Sequence, residues 1–132
     1  MKAFVGRQQE HAILQKAFQS SEPEMVAVLG RRRVGKTFLV RSTYGKNIDF
    51  EVTGIQNGST PEQLQHFTDR LNYYARPILP FQPPKNWQEA FQMLIIFLEN
   101  QGKTEKAIIF LDEFPWLAGR KSDFLRAFGL FW

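Results

Sequence analysis

The 132-residue sequence contains no cysteine and only two histidines. Without cysteine there is no disulfide and no metal site with thiolate ligands, and a reducing cytosol is the natural compartment. Long apolar runs are lacking too: the longest, 94–98 and 107–111, are far shorter than the roughly 18 residues that predict a transmembrane helix. The N-terminus lacks the apolar stretch of a signal peptide. We therefore predict a cytoplasmic protein without a membrane partner.

Acidic residues are absent from one stretch of the chain. Residues 25–48 contain six basic residues and no acidic one: Arg31, Arg32, Arg33, Lys36, Arg41 and Lys46. Of the 17 basic residues, 11 lie elsewhere, against 13 acidic residues, so the net charge of +4 comes from this stretch. Such local basicity favours a polyphosphate ligand at least as well as a nucleic-acid backbone.

Apolar periodicity predicts strands that alternate with helices. Strands are predicted over 25–29, 48–53 and 107–111, and helices over 7–20, 37–42, from 60, from 86 and from 122. The prolines at 77, 80, 83 and 84 predict a stiff connector between two of the helices. This order is typical of an α/β fold with a parallel sheet, and the length of the chain predicts one domain.

Helical spacing also predicts which side chains are buried. The expected stripes, in chain order, are Ile13, Leu14, Ala17 and Phe18; Leu64, Phe67, Leu71 and Tyr74; Trp87, Phe91, Leu94, Ile95 and Leu98; and Phe124, Leu125, Phe128 and Phe131. We expect these aromatic residues to form a core rather than a base-stacking platform. In contrast, Trp116 and Trp132 are predicted to be apolar surface, open to self-association or to a protein partner. His11 and His66 are predicted to be structural, because neither has a second ligand at metal-binding spacing.

Three local details complete the prediction. The strand over 48–53 alternates apolar residues with Asp49, Glu51 and Thr53, which predicts one polar face. Thr60 is expected to cap the following helix, with Gln63 as the partner in a capping box. Ser122 is expected to cap the last helix.

Residues 30–37 follow the phosphate-loop pattern G-x-x-x-x-G-K-[ST], reading Gly30-Arg31-Arg32-Arg33-Val34-Gly35-Lys36-Thr37. The two glycines let backbone N–H groups approach phosphate oxygens, Lys36 supplies a charge to the β- and γ-phosphates, and Thr37 supplies a hydroxyl ligand to Mg²⁺. An apolar stretch precedes the loop and a predicted helix follows it, as the motif requires. We therefore predict an ATP and Mg²⁺ site that also includes Phe38.

The segment Ile108-Ile109-Phe110-Leu111-Asp112-Glu113 is an apolar strand that ends in two acids. In a parallel sheet, ligands bind where strands end, so these acids are expected on the same edge as the phosphate loop. Asp112 is predicted to hold Mg²⁺, through water, and Glu113 to polarise the attacking water.

These motifs resemble those of the prokaryotic AAA-like P-loop ATPases, of the additional-strand catalytic-glutamate type and close to the STAND group. Residues 4–7 with Glu10, the phosphate loop, residues 50–57 and residues 110–117 are each similar to a family segment. The resemblance implies a three-layer sandwich, and it implies that Val5, Gly6 and Arg7 lie near the adenine. It also implies that residues 1–132 are the N-terminal portion of an ATPase domain, ending before the family's sensor strand.

These residues are compatible with four functions, in the following order of preference. The first is an ATPase in which Lys36, Thr37 and Asp112 bind Mg-ATP and Glu113 catalyses, with Lys36 also acting in catalysis. The second is a nucleotide-dependent switch or interaction module that hydrolyses ATP little or not at all. Nucleic-acid binding through Arg31, Arg32 and Arg33 ranks third. A small-molecule kinase ranks last, because adjacent acids after an apolar strand suit water activation better than an acceptor pocket.

Overall fold

A computed structural model describes residues 8–20, 36–102, 106–119 and 122–131. Within these ranges the chain has a mixed α/β architecture, with two parallel strands paired in one sheet and six α-helices. The elements are α1 (Gln8–Gln19), α2 (Lys36–Tyr44), β1 (Ile48–Thr53), α3 (Thr60–Ala75), α4 (Trp87–Glu99), β2 (Ile108–Asp112), α5 (Phe114–Leu117) and α6 (Phe124–Phe131).

The α/β class predicted from the sequence is confirmed at this level of detail, and the predicted bounds of most elements agree within two residues. The predicted strand at 25–29 lies outside the described residues. None of the helices in the described ranges has the length and apolar character needed to cross a membrane.

The chain divides into two compact units. In the described ranges, the first unit contains residues 8–20, 36–48 and 106–108, and α1 packs there against α2. The buried apolar side chains among these described residues are Leu14, Ala17, Leu39, Val40 and Ile108. The predicted stripe of α1 is wrong at Ile13, which is 58% exposed. Ile13 lies at the edge of the stripe, and α2 covers the face that holds Leu14 and Ala17 instead.

Polar contacts close the first unit at the ends of its helices. The Tyr44 hydroxyl donates to the Leu14 carbonyl at 2.9 Å, and burial raises the pKa of that hydroxyl above its ordinary value. The Lys106 Nζ donates to the Ala17 carbonyl at 2.8 Å. A cation at the last turn of α1 satisfies a carbonyl that has no partner within the helix and opposes the negative end of the helix dipole.

The second unit contains residues 49–102, 109–119 and 122–131, and its core is mainly aromatic. Its closest ring pairs have centroids 4.8 Å apart (Trp87 with Phe124, and Phe91 with Phe131) and 5.0 Å apart (Phe50 with Phe67). Such pairs add roughly 0.5–1.5 kcal/mol each beyond the area they bury. The prediction that these aromatic residues form a core is confirmed. The core residues are Phe50, Val52, Leu64, Phe67, Leu71, Trp87, Ala90, Phe91, Leu94, Phe97, Leu117, Phe124 and Ala127.

The N-terminus of α3 lies one residue earlier than predicted. Ser59, not Thr60, is the cap: its hydroxyl accepts from the Glu62 N–H at 3.2 Å, and the Glu62 carboxylate accepts from the Ser59 N–H at 2.9 Å. The segment offers Ser-Thr before Pro61, and both frames fit the capping-box pattern. Because Glu62 is the partner of Ser59 in the capping box, Gln63 does not cap the helix. Its side chain lies in the interior and is 2% exposed.

Two predicted stripes are wrong at one edge. In α4, Phe97 is buried and Ile95 is 37% exposed, because these residues flank the stripe on opposite sides and the neighbouring helices cover the side of Phe97. In α6, Leu125 is 61% exposed, whereas Phe124 and Ala127 are buried. Asn86, near which α4 is predicted to begin, caps that helix. Ser122 lies one residue before the cap position of α6, and its hydroxyl accepts from the N–H of the first helical residue, Phe124, at 3.1 Å.

The polar face predicted for β1 is not exposed to solvent at every residue. Glu51 is 7% exposed, although it alternates with Phe50 and Val52 along the strand. The Arg70 guanidinium of α3 donates to the Glu51 carbonyl at 3.1 Å. Arg70 therefore contacts the backbone of β1, and alternation along the strand does not predict the burial of Glu51.

Candidate functional site

The helix that follows the phosphate-loop motif begins at Lys36, the position that the motif assigns to its lysine. Its first turn contains no acidic residue, so the positive end of the helix dipole is not offset there by side-chain charge. Thr37 is half-buried and Phe38 is 44% exposed. A helix N-terminus directly after a glycine loop is a favourable place for phosphate.

The other residues predicted to contact the nucleotide lie outside the described residues. They are Val5, Gly6, Arg7, Gly30, Arg31, Arg32, Arg33, Val34 and Gly35. In the described part of the motif, α2 is anchored by Leu39 and Val40, which are 1% and 4% exposed. The apolar anchor begins two residues after Thr37, so the first turn of α2 is attached to the core of the first unit.

Asp112 is the last residue of β2 and is 6% exposed. Its Oδ1 accepts from the Glu113 N–H at 3.0 Å, and its carbonyl accepts from the Gly54 N–H at 2.9 Å. Burial of a carboxylate is costly unless hydrogen bonds or a cation compensate. The strand end therefore holds an oriented carboxylate of the type that Mg²⁺ prefers as a ligand.

Glu113 has left-handed backbone angles, φ 53° and ψ 47°. This region is sparsely populated by residues other than glycine and asparagine, and it costs of the order of 1 kcal/mol. The residue makes three contacts with Asp112 and with Trp116. Besides its N–H bond to Asp112, its carbonyl accepts from the Trp116 N–H at 3.0 Å, and its Oε2 accepts from the Trp116 Nε1–H at 3.2 Å. Hydrogen bonds with Asp112 and Trp116 thus fix the backbone of Glu113, and the Trp116 indole binds its carboxylate.

Gly54 lies against this turn. A Cβ at Gly54 would be 2.6 Å from the Glu113 carbonyl oxygen and 2.9 Å from the Trp116 Cβ. These distances are shorter than van der Waals contact, so any side chain at position 54 must displace the backbone of the acidic turn. The sequence places Gly54 in a loop, but it does not indicate that the glycine contacts the acids 58 residues later.

Gln63 joins the same turn from α3. Its Oε1 accepts from the Ile55 N–H at 2.9 Å, and its Nε2 donates to the Ile55 carbonyl at 2.7 Å and to the Trp116 carbonyl at 3.2 Å. The buried amide thereby ties the loop after β1 to α5. Sequence reasoning missed this role because Gln63 fits the capping-box pattern equally well.

The structure therefore gathers Asp112, Glu113, Gly54, Gln63 and Trp116 at the ends of the two paired strands. These residues all belong to the second unit, whereas Lys36, Thr37 and Phe38 belong to the first. Trp116, predicted to be apolar surface, is half-buried and donates its indole N–H. In the described ranges, no three histidine, aspartate or glutamate side chains are grouped as a metal site.

A comparison of the chain with protein-family models, with curated proteins and with solved structures gave no match.

Proposed function

We propose that this protein binds Mg-ATP and hydrolyses it, as a P-loop ATPase. The observation that carries the proposal is the phosphate-loop motif of residues 30–37, with α2 beginning at its lysine, Lys36. The glycine spacing, the lysine and the hydroxyl residue each have a mechanical role in holding a triphosphate. The described residues from Lys36 onward form a helix, as the motif requires after its glycine-rich loop.

In this proposal the loop binds the phosphates by its N–H groups and Lys36 contacts the β- and γ-phosphates. Thr37 and Asp112 are the protein's ligands to Mg²⁺. Mg²⁺ bound with a nucleotide would take phosphate oxygens and water as its other ligands. Arg31, Arg32, Arg33 and Val34 line the loop, and Phe38 lies in the first turn of α2.

Glu113 is the proposed general base. Its carboxylate accepts a proton from water as the water oxygen forms a bond to the γ-phosphorus, and the bond from that phosphorus to the β,γ-bridging oxygen breaks to release ADP. Lys36 and Mg²⁺ stabilise the charge that develops on the phosphate oxygens. The Trp116 indole donates to Oε2 of the same carboxylate.

The finer architecture is also a proposal. We propose that the two described parallel strands are part of a P-loop three-layer sandwich, with Val5, Gly6 and Arg7 near the adenine. The α/β character, the strand that ends in Asp112 and the helix that begins at Lys36 support this arrangement.

Nucleotide binding is tested by Lys36→Ala with Lys46→Ala as the matched control. Both lysines lie in the acid-free stretch, but only Lys36 belongs to the motif. Loss of one charge-assisted contact should weaken Mg-ATP binding roughly 10- to 100-fold for Lys36→Ala, measured by titration calorimetry, and leave Lys46→Ala near the wild-type value. Equal weakening in both variants would indicate general charge attraction and refute a specific site.

Hydrolysis is tested by Glu113→Gln. The amide cannot accept the proton, so phosphate release should fall about 10²- to 10⁴-fold while Mg-ATP affinity is retained. Unchanged phosphate release in this variant would contradict the role of Glu113. A wild-type protein that binds ATP and changes oligomeric state, but releases almost no phosphate, would instead favour the nucleotide-dependent switch.

A further inference from the structure

We infer that Trp116 is a positioning residue for Glu113, and that its indole N–H fixes the carboxylate for proton transfer. The inference rests on the proposed function, because it gives Glu113 a catalytic role. The indole Nε1 lies 3.2 Å from the Glu113 Oε2, and Glu113 is the residue directly before the short helix α5 that contains Trp116.

The chemistry of the indole suits a positioning role. Its N–H is a donor only and does not titrate in the working range, so it does not compete with Glu113 for a proton. It binds one carboxylate oxygen, Oε2, and thereby orients the side chain. This hydrogen bond restricts the side-chain torsions of Glu113 before any substrate binds.

Trp116 is itself held at several points. Its N–H donates to the Glu113 carbonyl, its own carbonyl accepts from the Gln63 amide, and its Cβ lies against Gly54. The buried Gln63 also binds both backbone groups of Ile55. The backbone and Cβ of Trp116 therefore contact the loop after β1 and α3, and these contacts fix the position from which the indole binds Glu113.

Trp87 provides an internal contrast. It is fully buried, and among the described residues its Nε1 is the only buried side-chain nitrogen or oxygen without a hydrogen-bond partner. Replacement of Trp87 by phenylalanine removes an indole N–H that binds nothing there. The same replacement at Trp116 removes the contact to Glu113, so the two variants separate hydrogen bonding from loss of indole volume.

The kinetic test compares Trp116→Phe with Trp87→Phe. A lost hydrogen bond to a charged group corresponds to a decrease in kcat of roughly 10- to 100-fold for Trp116→Phe, with the KM for ATP unchanged. Trp87→Phe should retain kcat at a temperature where both variants are folded by circular dichroism. The inference is overturned by an unchanged kcat in Trp116→Phe, or by a decrease of the same size in Trp87→Phe.

A second test needs no turnover. The indole ¹H–¹⁵N resonance of Trp116 is assigned from its disappearance in Trp116→Phe and is then followed in Glu113→Ala and Glu99→Ala. Removal of the Glu113 acceptor should move this resonance, whereas Glu99→Ala, at the exposed end of α4, should not. A resonance that does not move in Glu113→Ala shows that the indole does not bind the carboxylate and overturns the inference.

The two tests separate this inference from the proposed function. If Lys36→Ala leaves Mg-ATP binding unchanged, the ATP site is refuted whatever Trp116 does. If Lys36→Ala and Glu113→Gln act as expected but Trp116→Phe leaves kcat unchanged, only the positioning role fails.

Discussion

Among the described residues, the two units hold different parts of the proposed chemistry beside buried side chains of different kinds. In the first unit, Lys36 and Thr37 lie on a helix whose described apolar anchors, Leu39 and Val40, are aliphatic. The second contains Asp112 and Glu113 beside a core of interlocking aromatic rings. Backbone and charge are sufficient for a phosphate loop, whereas an oriented general base needs a rigid surround. The difference suggests that the acidic turn depends on tertiary packing more than the phosphate-binding helix does.

The largest stability loss is expected for Phe124→Ala in the second unit. Phe124 is fully buried and its ring lies 4.8 Å from that of Trp87 and 5.2 Å from that of Phe114. The cavity should lower the free energy of unfolding by about 3–5 kcal/mol, measured by urea denaturation. Leu125→Ala, next in sequence but 61% exposed, should change it by less than about 0.5 kcal/mol. Equal losses in the two variants would mean that the aromatic core is not the source of stability.

A smaller loss is expected for Leu39→Ala in the first unit, where the side chain is 1% exposed. We expect about 2–3 kcal/mol, because the substitution removes buried methyl groups and leaves a cavity. Hydrogen exchange should accelerate in α2 more than in α4. Ile13→Ala, 58% exposed on α1, is the control, and a similar acceleration in that variant would contradict the comparison.

Gly54→Ala should distort the turn that holds Asp112 and Glu113, with a moderate loss of stability. The added Cβ meets the Glu113 carbonyl, so the variant should lose about 1–3 kcal/mol of stability and also lose ATP hydrolysis, with Mg-ATP binding retained. Gly129→Ala in α6 is the matched control: its Cβ has no neighbour within 4 Å, and alanine in a helix should add about 0.5–1 kcal/mol. Unchanged hydrolysis in Gly54→Ala would show that the contact with Glu113 is dispensable.

The smallest effect is expected for Ser59→Ala, which should destabilise α3 by about 1 kcal/mol. The Ser59 backbone and side-chain hydrogen bonds lower the pKa of Glu62 below its ordinary value of 4.5. A lowered pKa stabilises the folded protein above that ordinary value, and the contribution is lost as the pH falls through the folded-state pKa. Urea midpoints from pH 7 to pH 2 should therefore show a weaker acid dependence in Ser59→Ala. An identical acid dependence would contradict the capping box.

Local signals predicted most of the elements that position the candidate site. Asn86 and the residues after it predict α4 within a residue, and the apolar run ending in acids predicts β2. Both rest on short-range rules of capping and periodicity. The same rules were wrong for Ile95 and Leu125, because residues at the edge of a stripe are buried or exposed according to which neighbour covers them.

The supporting contacts of Glu113 were beyond prediction for a related reason. Gly54, Gln63 and Trp116 have no shared local pattern, and Gln63 matches a capping signal that the structure assigns to Glu62. Their common role appears only when the loop after β1 meets the end of β2. The contacts of Gly54 and Gln63 depend on how strands pair, and no short window of sequence contains both partners. Trp116, in contrast, lies only three residues from Glu113.

The sequence by itself determined the α/β class and most helix starts, because these follow from periodicity. It also predicts the phosphate-loop motif at 30–37 and the acidic motif at 112–113 from side-chain chemistry. The tertiary structure alone decided that Glu51 is buried and that Gly54 and Gln63 contact the turn that holds Glu113 and Trp116. The physical reason is that burial and hydrogen-bond partners are properties of surfaces in contact, and strand pairing brings those surfaces together.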